Sequence, residues 1–148
     1  MPTTFTASVQ SAPPRVVHTG IIPAFGTFTL NAAQSTSTSD MLLMVRIPDR
    51  AWIIGGYIAG TISTVGATVK VGTAADEDCC IAVASLSATS QQTRFNSAQL
   101  PFQVSLSDDA EPKWTWLRVE YITSPSSCLT MSTKVFVEYA MPGAIFPE

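Results

Sequence analysis

Three groups of residues in this chain are of types that do chemistry. The single histidine, His18, lies in Val17-His18-Thr19 with no acid close to it in sequence. As a general base it would need a nucleophile and an orienting carboxylate to meet it in space. No Gly-x-Ser-x-Gly elbow supplies that nucleophile, so a surface or strand-edge histidine is the favoured reading. Asp76-Glu77-Asp78 is the densest acidic run. Loop carboxylates so spaced can share a calcium ion, which takes roughly six to eight oxygens. The central glycine and distant glutamate of a calcium loop are missing, which favours a solvated turn that keeps strand ends from pairing wrongly; the cation question stays open. Asp108-Asp109-Ala110-Glu111-Pro112 leads into Trp114-Thr115-Trp116. Alternate residues of a strand share a face, so Trp114 and Trp116 would form either a sugar-stacking platform beside carboxylates or a packing surface. Packing is favoured because large aromatics dominate buried area. Trp52, inside an apolar run, reads as core or interface.

The cysteines are Cys79, Cys80 and Cys128. Neighbouring strand residues point to opposite faces, so Cys79 and Cys80 are predicted not to pair with each other. All three read as small buried hydrophobes of a reducing compartment. There is no Walker loop, dinucleotide glycine pattern or His/Cys metal spacing. The sequence therefore assigns no catalytic residue, no cofactor and no metal ligand.

The elements that would position these residues are short β-branched runs. Runs at 25–30, 41–47, 51–60, 67–72, 80–85, 101–106, 114–122 and 129–139 are separated by turn residues. Gly55-Gly56 predicts a bulge or sheet corner in the third run, and a phase change after Trp116 predicts another. In the last run Val135, Val137 and Tyr139 alternate with Lys134, Phe136 and Glu138. The best helical candidate, 90–100, is polar and reads as a loop or single turn. This spacing predicts an all-β fold, an antiparallel β-sandwich of jelly-roll type. The Thr-, Ser- and Pro-rich start, with Pro13-Pro14, reads as an extended N-terminal arm over 1–22. The sandwich domain spans 23–140, and 141–148 form a short C-terminal tail.

Composition narrows the function. Of 148 residues, 46% are hydrophobic and only 13% charged, with a net charge of −3. The basic residues are scattered singly, which argues against direct binding of nucleic acid. No apolar stretch is long enough for a membrane helix, and the first residues lack the basic and apolar regions of a secretory signal; synthesis in the cytoplasm is expected. A mean hydropathy of +0.26 with so few charges predicts a surface covered by partners, including a homo-oligomer, dimer or trimer, with Trp52 or Trp114 near a buried contact. In the arm, Phe5 and Val9 are the predicted apolar anchors on a neighbouring subunit, and Pro13 and Pro14 hold the chain extended.

The block 40–62, Asp-Met-Leu-Leu-Met-Val-Arg-Ile-Pro-Asp-Arg-Ala-Trp-Ile-Ile-Gly-Gly-Tyr-Ile-Ala-Gly-Thr-Ile, followed by Val69-Lys70-Val71-Gly72-Thr73, an acidic turn, an apolar strand, Ser85-Leu86-Ser87-Ala88-Thr89 and a last strand ending Val137-Glu138-Tyr139, resembles small structural proteins of tailed bacteriophages. The resemblance covers about residues 40–140. It implies a jelly-roll cement or decoration protein on the outside of a phage head, with the major capsid protein as partner and the virion capsid surface as location. A tail, fibre or spike module is the alternative, and a carbohydrate-binding β-sandwich a more distant one.

Overall fold

The computed structural model describes residues 4–7, 9–10, 21–30, 41–62, 67–86, 91–96, 100–123 and 131–141. In chain order the strands are β1 (Thr4–Thr6), β2 (Val9–Gln10), β3 (Ile22–Leu30), β4 (Met41–Pro48), β5 (Trp52–Ile62), β6 (Ala67–Gly72), β7 (Ile81–Leu86), β8 (Gln91–Arg94), β9 (Phe102–Gln103), β10 (Trp114–Thr123) and β11 (Met131–Ala140). No helix occurs among the described residues. A front sheet has the order β1-β4-β10-β6-β7, and a back sheet the order β2-β3-β11-β5-β8, with β9 also on β5. Apart from the β6–β7 hairpin and the short β9, successive strands from β3 onward pass from one sheet to the other. Two antiparallel four-stranded sets, β4-β10-β6-β7 and β3-β11-β5-β8, therefore face each other as a jelly roll.

Alternation along each strand builds the core. Val69 and Val71 of β6, Leu117, Val119 and Tyr121 of β10, and Val135, Val137 and Tyr139 of β11 are all buried, while the residues between them face out. The irregularity predicted at Gly55-Gly56 is present, whereas the one predicted after Trp116 falls on the facing strand; the register shows where the extra residues sit. On β10, Leu117 pairs with Val45 and Arg118 with Leu43. The extra residue is thus Met44 of β4, and Met44 and Val45 are consecutively buried. β10 itself keeps one phase: Trp114, Trp116, Arg118 and Glu120 share the outer side. On β11, Glu138 pairs with Gly55 and Tyr139 with Ile53, leaving Ile54 as the extra residue of β5. Beside it Gly56, at φ 156°, leaves room for Phe95, whose ring lies 2.7 Å from where a Cβ would be.

The Met44 bulge also sets how closely the sheets approach. A Cβ on Gly26 of β3 would lie 2.0 Å from the Met44 carbonyl oxygen, so backbone meets backbone across the sandwich and only glycine fits.

Three expectations change. The 90–100 segment contains a strand, β8, because its polar residues lie on a sheet edge where pairing with Tyr57, Ile58, Ala59 and Gly60 of β5 outweighs the absence of an apolar pattern. The run at 101–106 shortens to the two residues of β9, after which Val104 N–H donates to the Ala51 carbonyl (2.9 Å) and Leu106 N–H to Asp49 Oδ1 (2.9 Å). And Cys79 and Cys80 precede β7 rather than belonging to it: they lie in a turn, which brings their sulfurs to one side instead of opposite faces.

Candidate interaction face

The outer side of the front sheet gathers most of the molecule's strongly interacting side chains. Arg46 of β4 pairs directly with Trp116 of β10. Its guanidinium carbon sits 5.6 Å from the centre of the Trp114 ring and 5.7 Å from that of Trp116, within range of cation–π attraction. The two indoles meet edge to face, 5.3 Å apart at 88°. Both are half-buried. Such a pair offers a ring edge and a cation instead of two coplanar ring faces. The Arg46 Nε is shielded from solvent and has no hydrogen-bond acceptor among the described residues.

Further along the same side lies an ion-pair network. Arg118 Nη2 approaches Glu120 Oε1 at 2.6 Å and Glu77 Oε2 at 3.9 Å, and Lys70 Nζ approaches Glu77 Oε1 at 2.7 Å and Glu120 Oε2 at 3.5 Å. Hydrogen bonding to Glu77 is the main reason the Lys70 ammonium is held above its usual range, and the same bond holds the Glu77 carboxyl below its own. Arg118 Nε, like Arg46 Nε, is buried without an acceptor among the described residues.

This network answers part of the acidic-turn question. Glu77 turns toward Lys70 and Arg118, whereas Asp76 is hydrogen-bonded with Asp78, which raises the Asp76 carboxyl pKa. The three carboxylates do not converge, and no metal-binding group of three or more His, Cys, Asp or Glu occurs among the described residues. The turn is braced by its own backbone: Thr73 N–H donates to the Asp76 carbonyl (2.9 Å) and Asp76 N–H to Thr73 Oγ1 (3.3 Å). In the second acidic turn Lys113 Nζ donates to the carbonyls of Ser107 and Asp108, which ties down the chain just before Trp114.

The outer side of the back sheet differs. Phe25, Phe136 and Tyr57 lie on three adjacent strands in one register row. Phe136 and Tyr57 stack at 5.4 Å and 25°, and Lys134 Nζ lies 5.9 Å from the Phe25 ring centre. Phe25 is 37% exposed. At the end of this row a cleft of about 330 Å³ is lined by Ile54, Gly55, Arg94, Leu100 and Pro101 among others.

The residues expected at an interface are thus dispersed. Trp114 lies on the front face. Trp52, half-buried, opens β5 opposite Ala140 and Gln103. Phe5 lies in β1, parallel to β4 and opposite Leu42, and Val9 in β2 opposite Thr27. Between them the buried Ala7 donates its N–H to the Leu43 carbonyl (2.9 Å), so 4–7 lie along the edge of one sheet and 9–10 along the edge of the other, both on this chain's own body. Pro13, Pro14, His18 and Cys128 lie outside the described residues. Sequence reasoning did not single out Arg46, Lys70, Arg118 or Glu120. The signal was present in the lone arginine of an apolar run and in the even positions from 114 to 120.

No protein-family model and no curated protein matches the sequence. In fold the chain is similar to a chain of the cyanophage Pam1 capsid asymmetric unit, with a TM-score of 0.69 and 17% identity over 89% of this chain and 92% of that one. It is similar also to a chain of the capsid of Ralstonia phage GP4, with a TM-score of 0.63 and 11% identity over 95% of this chain and 97% of the other. The jelly roll is therefore a fold found in phage heads.

Proposed function

We propose that this chain is a virion structural protein without catalytic function, a cement or decoration protein that binds the outside of a phage head and stabilises its capsid lattice. The observation that carries the reading is the fold likeness to two phage capsid chains over nearly the whole of this one. A protein that binds the assembled lattice and not the loose subunit stabilises the lattice by mass action, and such binding needs surface chemistry and no active site.

The front face supplies that chemistry. Arg46, Trp114 and Trp116 combine two of the residue types enriched among dominant binding contacts, and the indoles and guanidinium are only half-buried. The partner is the major capsid protein, and the occupant of the face is a carboxylate-bearing, partly apolar segment of its surface. Phe5, Val9, Pro13 and Pro14 belong to a second contact made by the N-terminal arm. Trp52 belongs to self-association into a dimer or trimer.

The test is to mix purified protein with heads that lack it, with loose capsid subunits, and with isolated tails, and to measure co-sedimentation. Binding to heads alone is the expected result, weakened by Trp114→Ala. Binding to tails alone would replace this reading with that of a tail module, and equal binding to loose subunits would remove the cementing role.

A further inference from the structure

Cys79 and Cys80 take no part in the front face, and their geometry has a chemistry of its own. Both are buried, 1% and 0% exposed, and their Sγ atoms are 3.6 Å apart. The turn produces this approach. Cys79 N–H donates to the Asp76 carbonyl (3.3 Å) and Cys80 N–H to the Val71 carbonyl (3.1 Å), while the Cys80 carbonyl accepts from Asn96 N–H (2.7 Å). The chain is folded back on β6 before β7 begins at Ile81, and both side chains are directed inward.

We propose that Cys79 and Cys80 form a reversible vicinal disulfide, with hydrogen peroxide or a similarly small hydroperoxide as the oxidant. The two thiols are already in contact, so closing the bond moves the sulfurs inward by about 1.5 Å and needs no repacking of a distant element. Burial selects a small oxidant. The covering turn, where Ala74, Ala75 and Glu77 are exposed, is the part that opens to admit it. The thiols are also unequal. Hydrogen bonding with Cys80 lowers the Cys79 pKa, while the same bond, together with burial, pushes Cys80 up; Cys79 is the sulfur that ionises first.

The steps balance. The Cys79 thiolate attacks one peroxide oxygen, the O–O bond breaks, and hydroxide leaves to take a proton as water. Cys79 is now a sulfenic acid. The Cys80 sulfur then attacks the Cys79 sulfur, the S–O bond breaks, and the departing hydroxide takes the Cys80 proton as a second water. Two electrons, one from each sulfur, have reduced one peroxide. Adjacent Cα atoms stand about 3.8 Å apart across a trans peptide, below the roughly 4.4–6.8 Å of relaxed disulfides. The bond is therefore strained and readily reduced, of the regulatory class and not a permanent staple. Closing it braces the turn that presents Glu77 to Lys70 and Arg118.

The test uses the full chain, treated with hydrogen peroxide in amounts that convert free glutathione to its disulfide, then alkylated and digested with trypsin. Cleavage at Lys70 and Arg94 releases 71–94 with Cys79 and Cys80, while Cys128 leaves in 119–134. The expected result is that 71–94 loses two hydrogens, that both thiols disappear together, and that dithiothreitol restores them. Amide exchange at Thr73 and Cys80 slows in the oxidised form. Both thiols surviving in 71–94, oxygen gained without loss of hydrogens, or a cross-link from 71–94 to 119–134 would each overturn the proposal.

Discussion

The two outer faces of the sandwich arise from the same alternation, yet they hold themselves together differently. On the front face every strong contact has direction: a guanidinium beside two indole rings and four charges arranged as Lys70, Glu77, Arg118 and Glu120. On the back face the row Phe25, Phe136, Tyr57 is held by apolar contact and ring stacking. Directional groups are satisfied or they are not, and on the front face two guanidinium nitrogens have no acceptor among the described residues. Aromatic rings need only contact, which their own neighbours provide. A charged, directional surface can discriminate among partners by chemistry, whereas a stacked apolar row mainly stabilises the sheet beneath it. The difference is that the front face carries charge and hydrogen-bonding groups that can select a partner, and the back face carries mainly contact area.

The largest expected effect removes both faces at once. Gly26→Ala sets a methyl against the Met44 carbonyl, at 2.0 Å from its oxygen, and the sheets must part. We expect a loss on the order of 3 kcal/mol, visible as a lowered melting temperature in far-ultraviolet circular dichroism. An unchanged melting curve would mean that the sheets do not touch there.

A matched pair separates the faces. Trp116→Ala should weaken attachment to heads by about 2 kcal/mol, roughly 30-fold, with a smaller effect on melting. Phe136→Ala should do the reverse, lowering stability by about 1–2 kcal/mol while attachment stays as it was. Co-sedimentation and melting on both variants read the contrast; the opposite pattern would move the docking surface to the back face.

Next comes the ion-pair network. Glu120→Gln removes a partner from Arg118 and from Lys70, at an expected cost of about 0.5–1 kcal/mol. The difference from the parent protein should shrink in high salt, which melting at two ionic strengths would show. The pH dependence has two limbs. The Lys70 pKa is raised in the folded chain, so its contribution is present below the ordinary lysine value and is lost as pH rises through the folded one. The Glu77 pKa is lowered, so its contribution is present above the ordinary glutamate value and is lost as pH falls through the folded one. Glu120→Gln should trim the alkaline limb only slightly and leave most of the acid limb, because Lys70 and Glu77 are each other's main partner.

An effect of similar size and opposite sign lies under the back face. Thr133 is fully buried and its Oγ1 has no hydrogen-bond partner among the described residues. Thr133→Val keeps the shape and removes the unsatisfied hydroxyl, which should stabilise the protein by about 1 kcal/mol. A lower melting temperature would show that the hydroxyl has a partner after all.

Much of the fold was legible in the sequence. Val135, Val137 and Tyr139 alternate with Lys134, Phe136 and Glu138, and that local pattern suffices to name a strand and its buried side. Gly55-Gly56 announced an irregularity, and the register places it one residue earlier, at Ile54. Elsewhere the sequence misled. Trp114-x-Trp116 followed by Leu117-x-Val119 looked like a phase change within β10, because tryptophan resembles a core residue. It is the facing strand that shifts, by the extra Met44. The polar β8 carried no pattern at all, since an edge strand is defined by the neighbour it pairs with.

What the sequence determined by itself is the alternation, hence the strands, the sandwich and an interior of valine, leucine and isoleucine; residues two apart on an extended chain share a face whatever lies beside them. Only the tertiary structure decided that β4 lies beside β10, which sets Arg46 against two indoles, and that a turn carries Glu77 back to Lys70 and the Cys79 sulfur to that of Cys80. Those contacts depend on strand order, register and the path of a loop. They join residues that no local spacing relates, because pairing energy is gathered between strands and not along them.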